Sequence, residues 1–186
     1  MSKLIAVLLA SATLVPVWAQ SEGLAPEWEV RKQLAALVEH VGQFKPVLEK
    51  IDPAGWKGAP AEYGTQLERV RAEIGYLVTT TQSLEKRPDR LTLALEAYFR
   101  MQSVDQMLRS LEAGIRKYQN PAIADLLQGL TSQAAADREQ LRQYIVDLAA
   151  DREVQFRVMD EEAQRCRSTL SRQPKPHPDA KKEQLK

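Results

Sequence analysis

The feature that most constrains this chain is a recurring spacing of apolar residues. Between Pro26 and Ile51 they fall at Val30, Leu34, Leu37, Val41, Phe44, Leu48 and Ile51, in alternating steps of four and three. That rhythm puts all of them on one side of a helix, in the manner of a coiled-coil seam. It returns at Tyr63, Leu67, Val70, Ile74, Leu77, Thr81 and Leu84. A broader face follows at Leu91, Leu95, Tyr98, Met101, Val104, Leu108, Leu111, Ile115 and Tyr118. A fourth set runs through Leu141, Ile145, Leu148, Phe156, Met159, Ala163, Cys166 and Leu170. No run of alternating β-branched residues offers a sheet. Seams of this kind are buried only against one another, so the expected fold is all-α: an antiparallel bundle of four main helices.

Prolines and glycines set the boundaries. The first helix is expected from Pro26 to Ile51, with a kink rather than a stop at Pro46. An interior proline costs about 3 kcal/mol, but stopping there would forfeit Val47, Leu48 and Ile51, each worth about 1.5–3 kcal/mol when buried. The stretch 52–60 is dense in turn formers. A second helix runs from Ala61 to Lys86 and ends before Pro88. Asp89 is read as the cap of the third. Asn120-Pro121 closes the third and opens the last segment, with asparagine as N-cap and proline in the first turn. That segment is long, and Gly129 followed by Thr131 and Ser132 suggests a short helix and then a longer one.

The ends are read differently. Lys3, the apolar run Leu4–Val15, Pro16 and the small residues Val17 and Ala19 make a secretory leader, 1–19, cleaved before Gln20. The apolar run is too short for the roughly 20 residues of a spanning helix, so an exported protein, periplasmic or extracellular, with no transmembrane segment is expected. The helical domain then covers 20–171, and 172–186, rich in Pro and Lys, reads as a disordered tail. Without the leader, 25 basic residues face 25 acidic ones, because only Lys3 of the 26 is lost. The basic excess usual in nucleic-acid binding is missing. One cysteine, Cys166, permits no internal disulfide.

Catalytic signals are sparse. The histidines are His40 and His177; His40 sits one residue off the seam, and His177 lies in the tail. A triad needs a histidine held by an acid and facing a nucleophile, and the Glu-x-x-His spacing of di-iron bundles is absent. Met101, Met107 and Met159 read as core residues. Asp147 and Asp151 lie one turn apart, but two carboxylates make a poor calcium site, and Asp160-Glu161-Glu162 reads as solvated surface. No cofactor, metal or catalytic residue is assigned, and the protein reads as a non-enzyme.

Two features rise above this background. Trp56, with Tyr63, is either a plug for the open end of the bundle or a partner-binding anchor, since Trp and Tyr are enriched at binding hot spots. The stripe from Phe156 to Leu170 either folds along the other helices or overhangs them. In the second case it offers a homodimer surface, with Cys166 as a candidate intermolecular thiol. The reading is a protein-interaction module of the cell envelope with an unknown protein partner. The alternatives are a hydrolase using an unrecognised carboxylate pair and a carrier of a small apolar ligand.

Overall fold

A computed structural model describes residues 24–172. The leader read at 1–19 lies outside them, as does the tail apart from Arg172, which ends the last helix. Five helices occur in the described residues: α1 (Glu27–Gly42), α2 (Phe44–Leu48), α3 (Glu62–Lys86), α4 (Leu91–Tyr118) and α5 (Pro121–Arg172). A 3-10 turn, Pro53–Gly55, lies in the loop before α3. α1 packs on α3 and α5, and α4 packs on the same two, so α1 and α4 stand diagonally across an up-down-up-down bundle.

The seams are the core. All seven apolar residues of the first set are buried, and α2 carries the α1 seam past the proline. Gln43, between the two helices, keeps helical geometry at φ −68° and ψ −17°. Its N–H bonds to the His40 carbonyl at 3.1 Å, a tighter turn that marks the kink expected near Pro46. In α3 the buried set is Leu67, Val70, Ile74, Leu77, Thr80, Thr81 and Leu84, with Tyr63 half-buried. The Thr81 hydroxyl is buried without a hydrogen-bond partner among the described residues. Early in α4 the face turns: Ala94 and Ala97 are buried, whereas Leu91, Leu95 and Tyr98 stay half-buried. Two alanines there let the neighbouring helix backbone approach, and the larger side chains flank the contact.

α5 corrects the expectation of a break at Gly129. It is one helix of 52 residues, about 78 Å long at 1.5 Å per residue. The hydroxyls of Thr131 and Ser132 bond back to the carbonyls of Leu127 and Gln128, at 2.8 and 2.9 Å, instead of capping a new helix. A helical glycine costs only about 1 kcal/mol. A break would misalign Ala124 and Leu127 on one side with Leu141, Tyr144 and Leu148 on the other, all of which are buried. The start of α5 is as expected, with the Asn120 side chain accepting the Ala122 N–H at 2.9 Å. α4 starts differently: its N-cap is Arg90 with no side-chain cap, and the Asp89 carboxylate turns to Arg152 of α5 instead.

Candidate interaction surface

The loop after α2 folds back over one end of the bundle. Trp56 is 7% exposed, and its ring lies 5.2 Å from Tyr63 and 6.0 Å from Tyr118 between centroids. Its indole N–H donates to the Gln119 side-chain oxygen at 3.0 Å, and the Gln119 amide donates to the Lys50 carbonyl at 2.7 Å. Gly114 makes room for the rings: a Cβ there would stand 2.5 Å from Tyr63 Cε1 and 3.1 Å from Trp56 Cζ3. Trp56 is thus the plug of the two arrangements, and its indole is not an exposed anchor. Tyr63 shares that packing and is half-buried.

Polar clamps hold α5 to the rest. His40 Nδ1 lies 2.8 Å from Asp137 Oδ2, a pairing across 97 residues that helical spacing does not reveal. Arg138 and Arg109 both reach Asp105 of α4. Burial works hardest on that carboxyl, toward a higher pKa, yet the hydrogen bonds from Arg138 and Arg109 outweigh it and leave the value lowered. Tyr144 donates its hydroxyl to the Pro88 carbonyl. Burial, then the nearby Asp89 charge, push its pKa up to about 12. Arg152 grips Asp89 through both its carbonyl, at 2.9 Å, and its carboxylate.

Other acids have ordinary partners. Asp147 accepts from Gln143 and Asp151 from Gln155, each one turn away. Among the described residues no three His, Cys, Asp or Glu side chains gather as a metal site. The cavity beside Asp137 is lined by Val30, Gln33, Leu34, Leu37, Gln140, Leu141 and Tyr144, with no hydroxyl of serine or threonine on its wall. That cavity and another near Leu108 each hold about 20 Å³, room for about one water. A larger apolar space, about 360 Å³, is a surface groove between the α1–α2 bend and α3, where Gly42 and Gly75 face Ile74, Leu48 and Val78 under Lys45 and Arg71.

The far end of α5 is different in kind. From Glu153 to Arg172 every residue is exposed except Ala163, which is half-exposed. Phe156 is 75% exposed, Met159 68% and Leu170 67%, and Cys166 is exposed as well. Twenty residues, about 30 Å of helix, therefore run past the bundle as an overhang. Folding of this stripe along the other helices is excluded, and Met159 is corrected from core to surface, while Met101 is buried and Met107 partly so. The reason lies in the partner: α1 begins only at Glu27, and α1 and α5 run antiparallel, so the helix that would cover the stripe starts level with the last clamp, Arg152.

No family model, curated protein or solved structure matches this chain. The site therefore rests on its geometry alone. Sequence reasoning found the overhanging stripe by its spacing, but not the cross-helix pairs His40–Asp137 and Asp89–Arg152, for which no local signal exists.

Proposed function

We propose that this is a non-enzymatic interaction module of the envelope or extracellular space, in which the bundle is a mount and the free end of α5 is the contact surface. One observation carries the reading: a helix leaves the core with a continuous apolar stripe, Phe156, Met159, Ala163, Cys166 and Leu170, open to solvent. Contiguous exposed apolar surface marks interaction sites. The leader supports export. No helix among the described residues is long and apolar enough to cross a membrane.

The test is site-specific photo-crosslinking in the native envelope. A photoreactive residue replacing Phe156 should trap a protein adduct, and one replacing exposed Gln128 on the same helix should not. Equal yields from both positions, or none from Phe156, would refute the reading. A second reading, small-ligand carriage, has the groove at Gly42 and Gly75 behind it. There an apolar fluorescent probe should bind the purified protein and be displaced in Gly75→Leu.

A further inference from the structure

The stripe on the overhang is the continuation of the face that α5 uses inside its own bundle. Eighteen residues make about five full turns of helix, and Met159, Ala163 and Cys166 each stand eighteen residues after Leu141, Ile145 and Leu148. Leu141 and Leu148 are buried and Ile145 is half-buried. The exposed stripe therefore points to the same side as the core. Whatever covers it lies directly beyond the end of the bundle, in line with α1 and the α3–α4 turn.

The spacing within the stripe is that of a two-helix seam, with Phe156, Ala163 and Leu170 at one set of heptad positions and Met159 and Cys166 at the other. After Arg157, the acids Asp160, Glu161 and Glu162 precede the bases Arg165, Arg167 and Arg172. We infer that the stripe pairs with the same stripe of a second copy of this chain, antiparallel, the two bundles lying at opposite ends of the paired segment. This rests on the reading of the free end as an interaction surface and names its partner.

Three features select that arrangement. First, a parallel pair is sterically barred. Each stripe faces the side on which its own bundle stands, so two parallel copies would place both bundles in the same space. An antiparallel partner instead fills the position beyond the bundle that no other described residue occupies. Second, the side chains match in one register. With Ala163 opposite Cys166 of the second copy, Met159 meets Leu170, so a small pair is bracketed by larger ones. Third, the same register brings Asp160 beside Arg167 of the second copy, twice by symmetry. Slipping by a heptad would instead set Asp160 against Asp160, which is repulsive. The paired segment, Met159 to Leu170, is short, under two heptads, so it buries less than a standard interface and the dimer is expected to be weak, in the micromolar range.

The same geometry says what the cysteine does. The antiparallel register offsets the two Cys166 residues by about 4.5 Å along the axis, in addition to the gap between the helices. With helix axes about 8–10 Å apart, that places the two Cα atoms at the edge of the roughly 7 Å that a disulfide spans. Cys166 is then a small seam residue poorly placed to cross-link with its own copy, and a thiol introduced by Ala163→Cys, directly opposite Cys166, links the copies faster.

Sedimentation equilibrium on the purified protein, up to roughly a hundred micromolar, tests the inference. A reversible monomer–dimer equilibrium is expected. Met159→Glu with Leu170→Glu should weaken it at least about a hundredfold, by burying charges in the seam. Both side chains are solvent-exposed in the single chain, so helical circular dichroism should be unchanged and failure to fold is not at issue. Asp160→Arg and Arg167→Asp should each weaken the dimer, and the double substitution should restore it. Under mild oxidation Ala163→Cys should form covalent dimers faster than the native chain. A monomer across the whole range overturns the second copy as partner, whatever then covers the stripe. A native Cys166 that cross-links as fast as Ala163→Cys overturns the antiparallel register. If the chain is monomeric yet a photoreactive residue at Phe156 traps a different protein, the interaction surface stands and only the self-pairing fails.

Discussion

Gly114 and Gly129 both sit inside long helices, and the structure assigns opposite signs to the same substitution. In a helix interior, alanine is favoured over glycine by about 0.8–1.0 kcal/mol. At Gly129 a Cβ meets nothing within 4 Å, so Gly129→Ala should stabilise the protein by close to that amount. At Gly114 the new Cβ would stand 2.5 Å from Tyr63 Cε1, 2.8 Å from Tyr63 Cζ and 3.1 Å from Trp56 Cζ3. The tyrosine ring has to move, and it is wedged between Trp56 and Tyr118. Overpacking of this kind costs about 1–3 kcal/mol, which leaves a net loss of up to about 2 kcal/mol after the helical gain. Urea melts followed by helical circular dichroism and tryptophan fluorescence measure both. Of the two tryptophans outside the leader read at 1–19, Trp56 is buried and Trp28 is 68% exposed, so in the chain without it the fluorescence change on unfolding reports mainly on the plug. In thermal melts each kcal/mol corresponds to a shift of about 2–4 °C for a chain of this size. In a Tyr63→Ala background the ring is gone, and Gly114→Ala should cost less by at least about 1 kcal/mol. A Gly114→Ala protein as stable as Gly129→Ala would refute the account of the aromatic plug.

Two further outcomes are expected. Thr81→Val keeps the shape and removes a buried hydroxyl that has no partner among the described residues, so it should stabilise by about 1 kcal/mol, and a loss in chemical melts would mean that the hydroxyl is bonded after all. Tyr144→Phe should cost about 0.5–1.5 kcal/mol at neutral pH through the lost bond to the Pro88 carbonyl. Because the folded pKa of Tyr144 is raised to about 12, its contribution is complete below the unfolded value near 10 and drains away as pH climbs through about 12. The variant should therefore flatten the alkaline limb of stability against pH, and an unchanged limb would count against the buried hydroxyl.

Much of the fold was legible because a seam is a local property. The first set, from Val30 to Ile51, went wholly into the core, since a four-three rhythm forces one face and a bundle has only one inside. The stop at Asn120-Pro121 was legible for the same reason, cap and proline being adjacent in sequence. Gly129 misled because its local cost, about 1 kcal/mol, is small beside the aligned burial on either side of it. Asp89 misled because a residue suited to capping is equally suited to an ion pair, and Arg152, 63 residues away, was the better partner. The candidate site divided similarly. Spacing revealed the stripe from Phe156 to Leu170, but its exposure depends on where α1 begins, which concerns a different part of the chain. Trp56 showed the reverse: its buried state depends on Gly114, Tyr118 and Gln119, none of them near it in sequence.

The unbroken backbone of α5 also has a consequence for reach and direction. A flexible linker of twenty residues has a root-mean-square span of about 22–27 Å, but its tip samples every direction. The same number of residues beyond Arg152 extends about 30 Å as helix, along one axis. That axis is fixed by the contacts of His40, Asp105, Pro88 and Asp89 with one side of α5. A surface held this way arrives already aimed, so an encounter need not search orientations of the tip, and less freedom is lost when contact is made. The helix acts as a boom: it carries the stripe from about 6 to about 27 Å past Arg152, always on the same side.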